Sequence, residues 1–246
     1  MALVYGCNDC HYTENVSLPA LRKQLKALGS PARAAGALRF FKTGKGEYGE
    51  WDKFRGISVP VQRQLVKQCL LTLGECRQLL HSPWHEDRSV ALMSLCALYK
   101  KGCRDGVALV YLTNTRYVNN WDLVDMSAPV ILGDWCEAQQ NWGLLQHLAR
   151  SDKLWERRIG MVATLASLRK KNPRPTQQIA RILYHDSHDL MQKAVGWMLR
   201  EMGKHCGRSV LTDFLHRYGG KLGRTALRYS IEHYSKAERR RWMNLG

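Results

Sequence analysis

The sequence predicts an all-α protein, an α-solenoid of HEAT-like helical repeats with a concave basic face. Three observations carry this. Helix start and stop signals recur along the whole chain, no convincing run of alternating polar and apolar residues competes with them, and helix openings return at a fixed interval. Openings fall near Trp84, Trp121, Trp155, Met191 and Thr225, roughly 34 to 37 residues apart.

The first helices are set by punctuation. Ser17-Leu18-Pro19 opens a helix that Gly29 closes, and Ser30-Pro31 opens the next, with serine as N-cap and proline in the first turn. Ser58 and Pro60 repeat the device ahead of VQRQLVKQCLLTL. From Trp84 onward each opening reads alike: PWHEDRSVALMSL, NWDLVDMSAPVIL, LWERRIGMVATLA and LMQKAVGWMLREM. A large residue begins the helix, charged residues fill its first turn, and an apolar stripe follows. Shorter helices return, as in NWGLLQHLARSD and QQIARILYHD, and Asn172-Pro173 with Pro175-Thr176 breaks the chain between two helices. Such pairs bury their apolar faces against their neighbours, so residues 1–246 are expected to form a single repeat domain. Tetratricopeptide repeats share the period, but their signature residues are missing.

Charge narrows the partner. The 246 residues carry 38 Lys and Arg against 21 Asp and Glu, a formal net charge of +17. The basic residues are interleaved with aromatic and apolar ones, which points to a basic surface on a folded body and to a polyanionic partner. With 45% hydrophobic residues the chain can build a core. No apolar run has the length of a membrane span and no signal peptide is read at MALVYGCNDC, so a cytoplasmic, nucleoid-associated protein without membrane attachment is expected. Several of the eight cysteines, such as Cys96 in VALMSLCALY, sit in apolar helical stretches as small core residues. Cys7, Cys10 and His11 spell a haem-attachment pattern, but that chemistry needs export, and no second cysteine pair stands nearby for zinc. No cofactor and no metal are expected.

Trp121 and Asp125 stand four apart and share a helical face. Pro129 lies four residues beyond Asp125 and should kink the helix there, which would aim the carboxylate; Asp122 or Asp125 serving only the helix start is the alternative. Arg158 opens the next repeat and Trp197 lies in the one after, so a regular stack would bring both toward Trp121 and Asp125.

WDLVDMSAPVILGDW, LWERRIGM and QKAVGWMLREMGK, in that order, resemble the AlkD-type family of alkylpurine DNA glycosylases. The resemblance is clear over 56–246, from GISVPVQRQL onward, and looser over 1–55. It implies that Asp125 is the catalytic carboxylate, that Trp121 and Trp197 are the site's aromatic residues, and that Arg158 is the arginine of the intervening repeat, holding a phosphate near the lesion. It further implies hydrolysis of the N-glycosidic bond of purines alkylated at N3 or N7 in duplex DNA, by a monofunctional enzyme that does not flip the base into a pocket. Ser58, Arg63, Lys193, Arg200 and Arg228 join Arg158 as candidate DNA contacts. The chemistry suits the residue types, because a cationic purine leaves as a neutral base while one ionised carboxylate stabilises the cationic sugar and positions water. One DNA-binding face per chain suffices, so a monomer is expected. Two other readings stay open: a non-catalytic protein that binds bent or branched DNA, and an interaction scaffold for an acidic protein.

Overall fold

The computed structural model describes residues 17–69 and 71–244, and these are helical, with no strand beyond an isolated bridge between Lys53 and Trp84. Among them no helix is long and apolar enough to cross a membrane. The chain divides into two compact units with the boundary between Ser127 and Ala128.

In the first unit, α1 (Leu18–Ala27), α2 (Pro31–Phe40) and α3 (Val59–Gln68) each begin behind a serine in extended conformation, Ser17, Ser30 and Ser58, with proline in the first turn. None of the three serines makes a side-chain capping bond, so proline's preset φ supports the start instead. The third helix stops at Gln68, before the CLLTL that its sequence pattern included. A capping box between Thr72 and Glu75 then starts α4 (Leu73–Leu80). The long helix α5 (His85–Lys100) packs against α3, α4, α6 (Arg104–Thr113) and α7 (Trp121–Ser127), and it buries residues on every face.

Pro129 has the expected local effect in a specific form. The chain leaves α-geometry after Ser127 and runs as a π-helical turn over Pro129–Gly133, with Gly133 N–H bonded to the Ala128 carbonyl at 2.9 Å. Proline has no N–H to give to the Asp125 carbonyl, and the wider turn absorbs the mismatch.

The second unit continues with α8 (Asp134–Ala138), α9 (Gly143–Ala149), α10 (Leu154–Val162), α11 (Leu165–Arg169) and α12 (Arg174–Leu183). The helices α13 (Asp189–Cys206), α14 (Arg208–Tyr218), α15 (Arg224–Ser230) and α16 (Lys236–Met243) complete it. Its packing is sequential: α10 lies on α13 and α13 on α15, with α9, α12 and α14 as returning partners. Two glycines set how closely these layers approach. A Cβ at Gly160 would lie 2.7 Å from the Leu145 carbonyl oxygen, and one at Gly196 would lie 2.5 Å from that of Ala226. Both distances are far inside van der Waals contact, so helix backbones meet at these points only because no side chain intervenes.

Of the described cysteines, Cys69, Cys76 and Cys136 are buried in the core, while Cys96, Cys103 and Cys206 are half-buried. Cys76 and Cys136 are fully buried free thiols, and burial pushes the Cys136 thiol up to about 12. Cys7, Cys10 and His11 lie outside the described residues.

Candidate functional site

Helix α7 carries Trp121 at its first position and Asp125 one turn later, as the spacing required. Both are half-buried. The Trp121 backbone N–H is held by the Asn120 side-chain oxygen at 2.9 Å. Its indole stacks on Phe41, with centroids 5.5 Å apart and planes 27° apart, and meets Phe40 edge-on at 5.7 Å. Phe40 itself is 64% exposed, and nearby in sequence Trp51 is 86% exposed. Near the end of the helix, Ser127 Oγ receives Tyr111 at 2.9 Å, and the Asp125 carboxylate adds to the burial that raises the Tyr111 phenol.

Asp122, between the two sequence-identified residues, is held by a network that sequence reasoning missed. His85 Nε2 donates to Asp122 Oδ2 at 2.8 Å and His85 Nδ1 to Asp52 Oδ2 at 3.1 Å. Arg88 donates to the other oxygen of Asp52, and Asn120 reaches the same carboxylate at 3.4 Å. His85 is 3% exposed. Burial alone would lower its pKa, but hydrogen bonds and charge from Asp122 and Asp52 outweigh it and raise the ring to about 9, so it is an imidazolium at neutral pH. Burial would raise the Asp52 carboxyl; the His85 bond and the Arg88 guanidinium hold it below the usual carboxylate range.

The same first turn of α5 fixes the preceding loop. Glu86 accepts the backbone N–H groups of Arg55, Gly56 and Ile57 at 2.8, 2.7 and 3.2 Å, and Asp87 takes Arg55 in a two-pronged pair at 2.6 and 2.9 Å. All four charged residues of His85-Glu86-Asp87-Arg88 are therefore buried and bound to residues 52–57. The signal in the sequence was four ionisable residues in a row at a helix start. Their partners lie some thirty positions earlier, where periodicity gives no information.

The first unit also contains an open cavity of about 440 Å³, lined by Ser58, Phe41, Phe54, Gln62, His85 and Asp122 among others. Ser58, a candidate DNA contact, is the residue preceding α3 and half-buried; Arg63, one turn on, is exposed.

In the second unit, Arg158 is only 5% exposed and donates Nη1 to the Leu190 carbonyl at 2.6 Å, tying α10 to the start of α13. Trp197 is half-buried on α13, directly after the close approach at Gly196. Lys193 pairs with Asp189 at 2.7 Å on the same helix, and Arg200 pairs with Glu232 and, at 3.7 Å, with Glu201. Arg228 is exposed on α15. Among the described residues, no group of three or more His, Cys, Asp or Glu is placed to hold a metal ion.

The family model for DNA alkylation repair enzymes matches residues 21–234. The chain belongs to the DNA alkylation repair enzyme family, and its role is in DNA repair. Its fold is similar to that of a solved structure described as a predicted DNA alkylation repair enzyme from Enterococcus faecalis. The TM-score is 0.67 at 20% identity, over 85% of this chain and 97% of that one. No curated protein matches.

Proposed function

We propose that this family member is a monofunctional glycosylase that removes cationic N3- or N7-alkylated purines from duplex DNA. The observation that carries the reading is helix α7. It sets Trp121 and Asp125 one turn apart on one face, both half-buried, while the neighbouring Asp122 is engaged by His85. Asp125 stabilises the positive charge that develops at the sugar C1′ and orients water for attack there. The C1′–N bond breaks, its electron pair neutralises the cationic base, and no general acid is required. The indoles of Trp121 and Trp197 attract positive charge, each by about 0.5–2 kcal/mol. No lysine nucleophile enters, so strand cleavage does not follow.

DNA is held by exposed cations, with Arg63 and Arg228 the most accessible of those named. Arg158, Lys193 and Arg200 already have protein partners, so each reaches a phosphate only with its remaining N–H groups or by exchanging a partner. The protein acts as a monomer in the cytoplasm. The test is incubation with duplex DNA containing 7-methylguanine or 3-methyladenine, followed by chromatography of the released bases. Release by the wild type and none by Asp125→Asn is the expected result; DNA binding without release by the wild type favours a non-catalytic DNA-binding protein.

A further inference from the structure

Among the described residues Trp51 is the most exposed large hydrophobic one, at 86%, and its indole meets no other ring. Its backbone lies in the left-handed region, with φ 73°. A bulky side chain is rare there and persists only where the surroundings hold it. The loop from Phe41 to Asp52 does so. Gly49 N–H bonds to the Lys42 carbonyl at 3.1 Å and Asp52 N–H to the Gly49 carbonyl at 3.0 Å. Glu47 and Glu50 accept the N–H groups of Gly44 and Gly46, each at 2.8 Å. Both ends of the loop are fastened to the start of α7: Phe41 stacks on Trp121, and Asp52 is bound by His85, which also holds Asp122. Glycine would serve this turn without strain, so the indole has no structural reason to stand here. Four cations accompany it in the sequence. Arg39, Lys42, Lys45 and Lys53 are all exposed, and none has a side-chain partner among the described residues. Of the carboxylates in the same stretch, Asp52 is buried against His85 and Arg88, and Glu47 and Glu50 are turned onto the loop's own amides.

We infer that Trp51 is a base-stacking wedge for duplex DNA, entering at a base step while Lys42, Lys45 and Lys53 take the flanking phosphates. A flat apolar ring among free cations matches a partner that offers flat apolar faces beside regular negative charge, and stacked base pairs offer both. An acidic protein surface would meet the lysines but give the indole no flat partner. Aromatic stacking on bases is tolerant of sequence, which suits a protein that must act wherever damage falls. Apolar side chains that enter between base pairs unstack the step and bend the duplex. Such entry separates two base pairs without turning a nucleotide out, so it needs no pocket. The rigid loop brings this distortion beside the helix that carries Trp121 and Asp125. The inference rests on the family's DNA substrate and not on base release.

The test labels the full chain with 5-fluorotryptophan and assigns the Trp51 fluorine signal by its loss in Trp51→Tyr. Titration with a short unmodified duplex should shift or broaden that signal, while heparin, a polyanion without bases, should leave it in place. Trp51→Gly should bind the duplex about tenfold more weakly, within the range for losing one aromatic–base stack. Its salt slope should match the wild type, because no charge is lost. Trp51→Tyr, which keeps a ring, should retain most of the affinity. Glycine accepts this φ without strain, so Trp51→Gly should unfold at no lower a temperature than the wild type, which separates a binding loss from a folding loss. A Trp51 signal unmoved by duplex, or moved equally by heparin, would overturn the wedge, as would equal duplex affinity in wild type and Trp51→Gly. Base release from 7-methylguanine DNA is measured separately, so failure of the glycosylase reading shows as no release while the Trp51 response to duplex persists.

Discussion

His85 holds Asp122 through a 2.8 Å hydrogen bond from Nε2, and thereby ties the first turn of α5 to the first turn of the helix that carries Trp121 and Asp125. The ring is buried with a carboxylate on each nitrogen, so it works as a charged clamp. Removing the imidazolium strands two carboxylates, one of them also paired with Arg88. Breaking a buried pair in this way is more costly than the pair's net contribution.

The clamp predicts a pH dependence of stability. The folded His85 pKa of about 9 lies above its ordinary 6.5, so the stabilisation is complete below pH 6.5 and is lost as pH rises through about 9. Asp52 is shifted the opposite way, so its contribution is present above its ordinary 3.8 and is lost as the pH falls through its lowered folded value. Thermal unfolding from pH 6 to 10 should show Tm falling across the upper window. In His85→Asn that alkaline fall should be absent and stability at pH 7 lower by roughly 3 kcal/mol. An unchanged alkaline profile in the variant would assign the titration to another group.

Asp125→Asn should lower base release by at least about 10²-fold, the scale of losing one electrostatic transition-state contact. DNA affinity should change little. Single-turnover release and fluorescence anisotropy measure the two separately, and wild-type release in the variant would remove Asp125 from the chemistry.

Affinity for duplex DNA should fall steeply with salt. Arg63→Ala and Arg228→Ala should each reduce the slope of log K against log salt by about one unit, since each removes one exposed phosphate contact. Titration from 0.05 to 0.2 M salt (about the range in which such contacts are read) decides it, and a flat wild-type profile would rule out phosphate-driven binding.

Gly196→Ala should destabilise the second unit by about 1–3 kcal/mol, because the added methyl meets the Ala226 carbonyl oxygen and Tyr229 Cβ at 2.5 Å. Urea unfolding measures the loss. Trp197 follows in sequence, so base release should fall as α13 moves off α15.

Cys7→Ser combined with Cys10→Ser should leave base release intact, because a base already activated by its own charge needs neither redox nor Lewis-acid help. Elemental analysis and an absorption spectrum of the purified protein accompany the activity measurement. Stoichiometric zinc or iron, or a Soret band, together with an inactive double variant, would assign these cysteines a functional role.

Most of the helical frame was readable from local signals. The five periodic openings became the starts of α5, α7, α10, α13 and α15 to within about two residues, as expected for boundary assignment. Serine–proline pairs and the Asn172-Pro173 break act through backbone geometry that a few neighbouring residues decide. The shared face of Trp121 and Asp125 followed from four-residue spacing in the same way. The third helix was read too long because CLLTL continues its apolar pattern, while the Thr72–Glu75 capping box that starts a new helix competes with that pattern.

Composition and sequence order determined the helical class, the polyanionic partner and the residues that mark the family. Tertiary structure alone decided which charges face water. Glu86, Asp87 and Arg88 look like a solvated helix start, and Arg158 like a surface cation, yet all four are buried. A charge leaves water only where partners arrive to replace its hydration, and these partners come from 30 to 36 residues away, as Gly56 does for Glu86, Arg55 for Asp87, Leu190 for Arg158 and Asp52 for Arg88. Separations of that size correspond to one step along the stack. Helical periodicity reports which face of a helix is apolar; it carries no record of the polar groups that the next layer brings to its end.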